Sequence, residues 1–93
     1  MTTHALTTLS STSATRLTPN GVHSGMDITI QNTDESAYVY IGGEGVTSSD
    51  YGFRIAPGSA FSIELPGQDA LYAISNIDTS KVSVLKTGLE TGN

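Results

Sequence analysis

Ninety-three residues with nine acidic and four basic side chains carry a net charge of −5. That balance repels phosphate backbones, and with no run of even three Lys or Arg it argues against nucleic-acid binding. The absence of cysteine removes disulfides and thiolate metal sites together.

The length bounds the chain to one domain, and a domain of this size buries only about 60–65% of the surface its unfolded chain exposes. With 2 Phe, 4 Tyr and no Trp the core is thin. Oligomerisation, or docking onto a larger assembly, is then the expected source of additional stability. Charged residues make up only 14% of the chain, and Ser and Thr supply most of the polarity. Uncharged hydroxyls cost less to bury at a protein contact than ammonium or carboxylate groups. The first residues have no basic segment followed by an apolar one, and no apolar run approaches the roughly 18 residues of a membrane span. Synthesis in a cytoplasm, with no membrane partner, is the expectation.

In chain order, residues 2–13 are dense in Thr and Ser with Ala5, Leu6 and Leu9 among them. They read as an extended N-terminal arm or an edge strand over 1–13, ahead of a single β-sandwich domain over 14–93. Residues 14–18 form a second short β candidate, stopped by Pro19-Asn20-Gly21, where the Asn-Gly pair favours a tight turn. Met26, Ile28 and Ile30 then alternate with Asp27, Thr29 and Gln31, the pattern of a half-buried strand. The polar turn 32–36 leads into a strand over 37–41, and the two strands are expected to form a hairpin.

In that second strand Ala37, Val39 and Ile41 share one face, and Tyr38 and Tyr40 the other. It runs into Gly42-Gly43-Glu44-Gly45, where the chain is expected to stop, bulge or turn on glycine's access to positive φ. Further strands follow at 53–55, at 60–65 with Phe61, Ile63 and Leu65 on one face, at 71–75 and at 81–87. Pro57-Gly58 and Pro66-Gly67 mark turns of type II, and residues 88–93 read as a weak tail. No window holds a helical period. About eight short strands separated by Gly/Pro turns predict an all-β fold, a small antiparallel β-sandwich or jelly roll.

No constellation of reactive groups stands out. His4 and His23 come from an arm and a loop, which do not supply the converging ligands of a metal site. No Ser occupies a G-x-S-x-G elbow. The carboxylates fall mostly in turns or on solvent faces, with no pairing specific to glycosidic chemistry. Gly42-Gly43-Glu44-Gly45 lacks the Gly-Lys-Ser/Thr end of a phosphate loop and carries an acid where phosphate would sit. No EF-hand spacing is present. A non-enzymatic protein without catalytic, cofactor or metal residues is expected, with Leu6, Leu9, Tyr38 and Tyr40 as a candidate assembly interface, since Tyr pairs an apolar ring with a polar tip.

The run Ile30-Gln31-Asn32, Val39-Tyr40-Ile41-Gly42-Gly43, Val46-Thr47, Tyr51-Gly52-Phe53, Pro57-Gly58, Phe61-Ser62-Ile63, Leu71-Tyr72-Ala73-Ile74 and Val82-Ser83-Val84-Leu85 resembles small β-rich virion proteins of tailed bacteriophages. These decorate or cement capsids, or occur as minor head and tail components. The resemblance spans about residues 15–88 and lies in a pattern of strands and turns, with no residue that acts chemically. It implies a late structural protein located in the virion. Its partners would be copies of itself, as trimers at local threefold positions, and the major capsid or another virion protein. Non-covalent contacts would brace neighbouring subunits. The alternatives are a tail, neck or baseplate component, and a small carbohydrate-binding β-sandwich for host attachment.

Overall fold

The computed structural model describes residues 2–18, 26–65 and 70–87. Within them lie eight strands: β1 (Thr3–Thr8), β2 (Thr15–Arg16), β3 (Met26–Asn32), β4 (Val39–Gly42), β5 (Phe53–Ile55), β6 (Ala60–Leu65), β7 (Tyr72–Ser75) and β8 (Lys81–Thr87). The turns expected at Asn20-Gly21 and Pro66-Gly67, His23 and the tail 88–93 lie outside the described residues.

The strands form two antiparallel sheets of four. The first has the order β1-β8-β3-β6 and the second β2-β7-β4-β5. The first strand therefore pairs with the last, the second with the seventh, the third with the sixth and the fourth with the fifth. This is one long antiparallel ribbon rolled on itself, closed by β3 on β8 and β4 on β7. Such a rolled ribbon is a jelly roll, so the all-β sandwich predicted from the alternation is the fold.

Residues directly opposite one another in an antiparallel pair share a face, and the registers therefore assign every side chain to the inside or outside. Ile28, Ile30, Val82, Val84 and Leu65 project inward from the first sheet and meet Val39, Ile41, Ile55 and Ala73 from the second. Leu9, Leu17, Met26 and Leu71 complete the same core.

The hairpin expected between residues 26–31 and 37–41 does not form. β3 pairs with β6 and β8 in one sheet while β4 belongs to the other. Asn32 directs this crossing. Its side chain is fully buried, and Nδ2 donates to the carbonyls of Ala37 at 2.7 Å and Ile55 at 3.2 Å. Its Oδ1 accepts from the Asp34 N–H at 3.1 Å. One amide thus ties the end of β3 to the crossing turn and to the facing sheet, and it satisfies backbone groups that burial would leave without water.

Candidate interaction site

The two outer faces of the sandwich differ in chemistry. On the first sheet, one row runs Leu6, Ser83, Gln31, Ala60 and the next runs His4, Leu85, Thr29, Ser62. Thr29 and Ser62 join their hydroxyls at 2.8 Å, while Leu6 and Leu85 stand exposed. The centre of this face is uncharged. Asp27 and Glu64 lie side by side at one end and Lys81 beside Thr8 at the other.

The outer face of the second sheet collects all four tyrosines and both arginines of the chain. Tyr40 lies between Ile74 on β7 and Arg54 on β5, and Tyr72 lies between Arg16 and Gly42. Tyr51, from the loop after β4, sets its ring centroid 4.8 Å from that of Tyr40. The Arg54 guanidinium sits over the Tyr38 ring at 5.0 Å, a cation–π arrangement. Beneath these groups Ile74 is buried although it faces outward. A small secondary apolar layer therefore underlies the aromatic surface.

The backbone holds Tyr38 in place from both sides. Its N–H donates to Asn76 Oδ1 at 2.8 Å, and its carbonyl accepts the Asn76 N–H at 3.2 Å. Just upstream, Asp34 Oδ1 accepts the N–H groups of Ser36 at 2.8 Å and Ala37 at 3.0 Å. These two backbone bonds, Ser36 first, hold its carboxyl below the usual carboxylate range. At the far end of the first sheet, burial of Lys86 lowers the pKa of its ammonium.

Packing around Gly42 is tight. A Cβ built there would lie 3.1 Å from Val46 Cγ2, because the loop after β4 folds Val46 over it. The expectation that this glycine run supplies positive φ does not hold. Among described residues positive φ occurs at Gly58 and Thr79 only. Gly43 and Gly45 have open space where a Cβ would go.

The four residues expected to form one interface are not brought together. Tyr38 and Tyr40 share the second sheet's outer face, and Leu6 lies on the opposite side of the molecule. Leu9 is 1% exposed and belongs to the core. Residues three apart in an extended chain point to opposite faces, which separates Leu9 from Leu6. The Leu9 N–H donates to the Ser80 carbonyl and its own carbonyl accepts from Thr79, which locks the inward orientation.

Arg16, Arg54, Tyr51 and Tyr72 lie on this face but outside the four residues expected from the sequence. Arg54 and Tyr72 carried a signal, by alternating with Phe53 and Ile55 and with Leu71 and Ala73. Arg16 lies in a two-residue strand and Tyr51 in a loop, where alternation says nothing. Phe61 packs against the core, as its alternation with Ala60 and Ser62 requires. Phe53 and Phe61 stack at 4.4 Å across the gap between the sheets, yet Phe53 is 44% exposed because it lies at the open margin.

Among the described residues, no group of three or more His, Cys, Asp or Glu is placed to hold a metal ion. Compared with protein-family models, with curated proteins and with solved structures, the chain matches none.

Proposed function

We propose that this chain is a non-enzymatic structural protein of a phage virion, a head decoration or minor capsid protein that braces the shell by non-covalent contact. The observation that carries this reading is the outer face of the second sheet, where four tyrosines and two arginines gather in a chain otherwise rich in Ser and Thr. Tyr and Arg are the residue types most enriched where proteins meet, because each buries much area at low entropic cost and keeps a polar end for pairing. The centre of the face on the other side, uncharged and bearing hydroxyls beside Leu6 and Leu85, offers a second surface that is inexpensive to dehydrate. A small domain with two such faces can bridge neighbouring subunits, and the contact area it buries adds to the stability of the assembly.

Quantitative mass spectrometry of purified particles tests this. Copies in numbers comparable with the capsid subunit support head decoration. A handful of copies moves the protein to the tail, neck or baseplate, and absence from the particle removes both readings.

The same tyrosines support a second reading, a carbohydrate-binding module for host attachment. Tyr40 and Tyr51 are tilted by 47° against each other, which presents edges where a sugar ring would need a flat platform. Protein contact is therefore favoured. A glycan array carries the test: binding lost on Tyr40→Ala would support the glycan reading, and no binding removes it.

A further inference from the structure

Among the described residues, the margin of the sandwich between β5 and β6 is open. β6 ends the first sheet, and an apolar cleft of about 420 Å³ lies beside it, lined by Phe53, Phe61, Ile63 and Leu65 among others. Ile63 points to the inner side of the sheet but is 38% exposed, since no strand covers it from the far side among the described residues.

No strand among the described residues pairs with the outer edge of the β6 backbone. The Asn32 N–H donates to the Ser59 carbonyl, which sets the alternation along the β3–β6 ladder. Phe61, Ile63 and Leu65 turn their N–H and C=O groups to β3, and Ala60, Ser62 and Glu64 turn theirs outward. Natural edge strands are usually guarded by lysine, proline, bulges or inward charges. Over its six residues β6 has one charge, Glu64, and that side chain lies on the outer face.

We infer that β6 pairs with β6 of a second copy about a twofold axis at Ser62, joining the two first sheets into one sheet of eight strands. Strand and register are self-complementary. With Ser62 opposite Ser62 of the second copy, Ala60 stands opposite Glu64 of the second copy, and every outward N–H and C=O of the three residues finds a partner. Ile63 then meets Phe61 of the second copy on the inner side, which covers the exposed part of the cleft. Charge selects among registers. Centring the axis on Glu64 would set two carboxylates directly opposite each other, whereas centring it on Ser62 sets each against a methyl group. The contact is closed and isologous, and it takes the place of the threefold arrangement that the virion resemblance implies. It stands independently of the virion reading, because the chain alone is enough to test it.

Light scattering after size exclusion, over a micromolar concentration series, reads the association. The wild-type chain is expected to be a dimer. Ala60→Glu sets a carboxylate opposite Glu64 of the second copy, twice by symmetry, and weakens the dimer about three- to tenfold; Ala60→Lys creates two opposite-charge pairs and tightens it by a similar factor. Residue 60 is exposed on the outer face, and opposite shifts from two substitutions at one site are not what a damaged fold produces. A wild-type monomer throughout the series, a trimer, or a dimer that responds alike to both substitutions overturns the inference.

Discussion

Asn32 makes three hydrogen bonds with a side chain that exposes no surface. Truncating it removes a buried amide that donates to the carbonyls of Ala37 and Ile55 and accepts the Asp34 N–H, at about 1–3 kcal/mol for each buried group left without a partner. Asn32→Ala is therefore expected to cost about 2–4 kcal/mol in urea unfolding, far more than an exposed substitution such as Thr8→Ala. A loss below about 1 kcal/mol would mean that water reaches the crossing turn. Asp34 acts nearby through its charge. Its folded pKa is lowered by backbone N–H bonds from Ser36 and Ala37, so its contribution is complete above the unfolded value near 3.8 and is lost as pH falls through the lower folded value. Between about pH 5 and pH 2 the wild-type chain should lose stability more steeply than Asp34→Ala, which has no such carboxylate to protonate. Parallel slopes in a series of urea melts over that range would contradict this. Neither role was legible beforehand, because Asn32 and Asp34 sit in a polar stretch that reads as ordinary turn.

At the scale of elements, the strands from 26 to 65 were visible in the sequence because each alternates or is rich in β-branched residues and ends at a polar or Pro-Gly turn. Gly58 has φ 76°, and the Ser59 N–H reaches the Ala56 carbonyl at 3.0 Å, the type II geometry that Pro57-Gly58 demands. Strand partners were less legible. A five-residue polar turn after β3 serves equally for a hairpin and for a crossing to the other sheet, and the amide of Asn32 decides between them only in three dimensions. The glycine run after β4 shows a similar limit. Its glycines mark the strand's end, and at Gly42 the neighbour that a Cβ would crowd is Val46, four residues on. Gly42→Ala, which must move Val46 by a few tenths of an ångström, is expected to be less stable than Gly43→Ala, whose Cβ meets open space and whose change remains within about 0.5 kcal/mol. Thermal melts of the two variants separate these outcomes, and equal losses would contradict the packing account.

For the whole molecule, the pairing of first strand with last makes the fold depend on both ends of the described chain: Thr3 stands opposite Lys86 and Thr8 opposite Lys81. The sandwich class followed from strand number and alternation. The jelly-roll order did not, since it is a property of long-range pairing that no local window contains. The candidate interface was legible in part. Tyr38 and Tyr40 lie together on the surface as alternation requires, while Leu6 and Leu9 were grouped by proximity in sequence and are parted by the two faces of an extended chain. What results among the described residues is a sandwich with one hydroxyl-bearing face, one tyrosine–arginine face and one open edge, all three suited to contact. If bracing a capsid is the role of those surfaces, particles assembled without this chain should release their nucleic acid at a lower temperature than complete particles, and added purified chain should restore the difference. Thermal release followed by a nucleic-acid dye is the direct measurement. Superimposed release curves for complete and deficient particles would contradict the account.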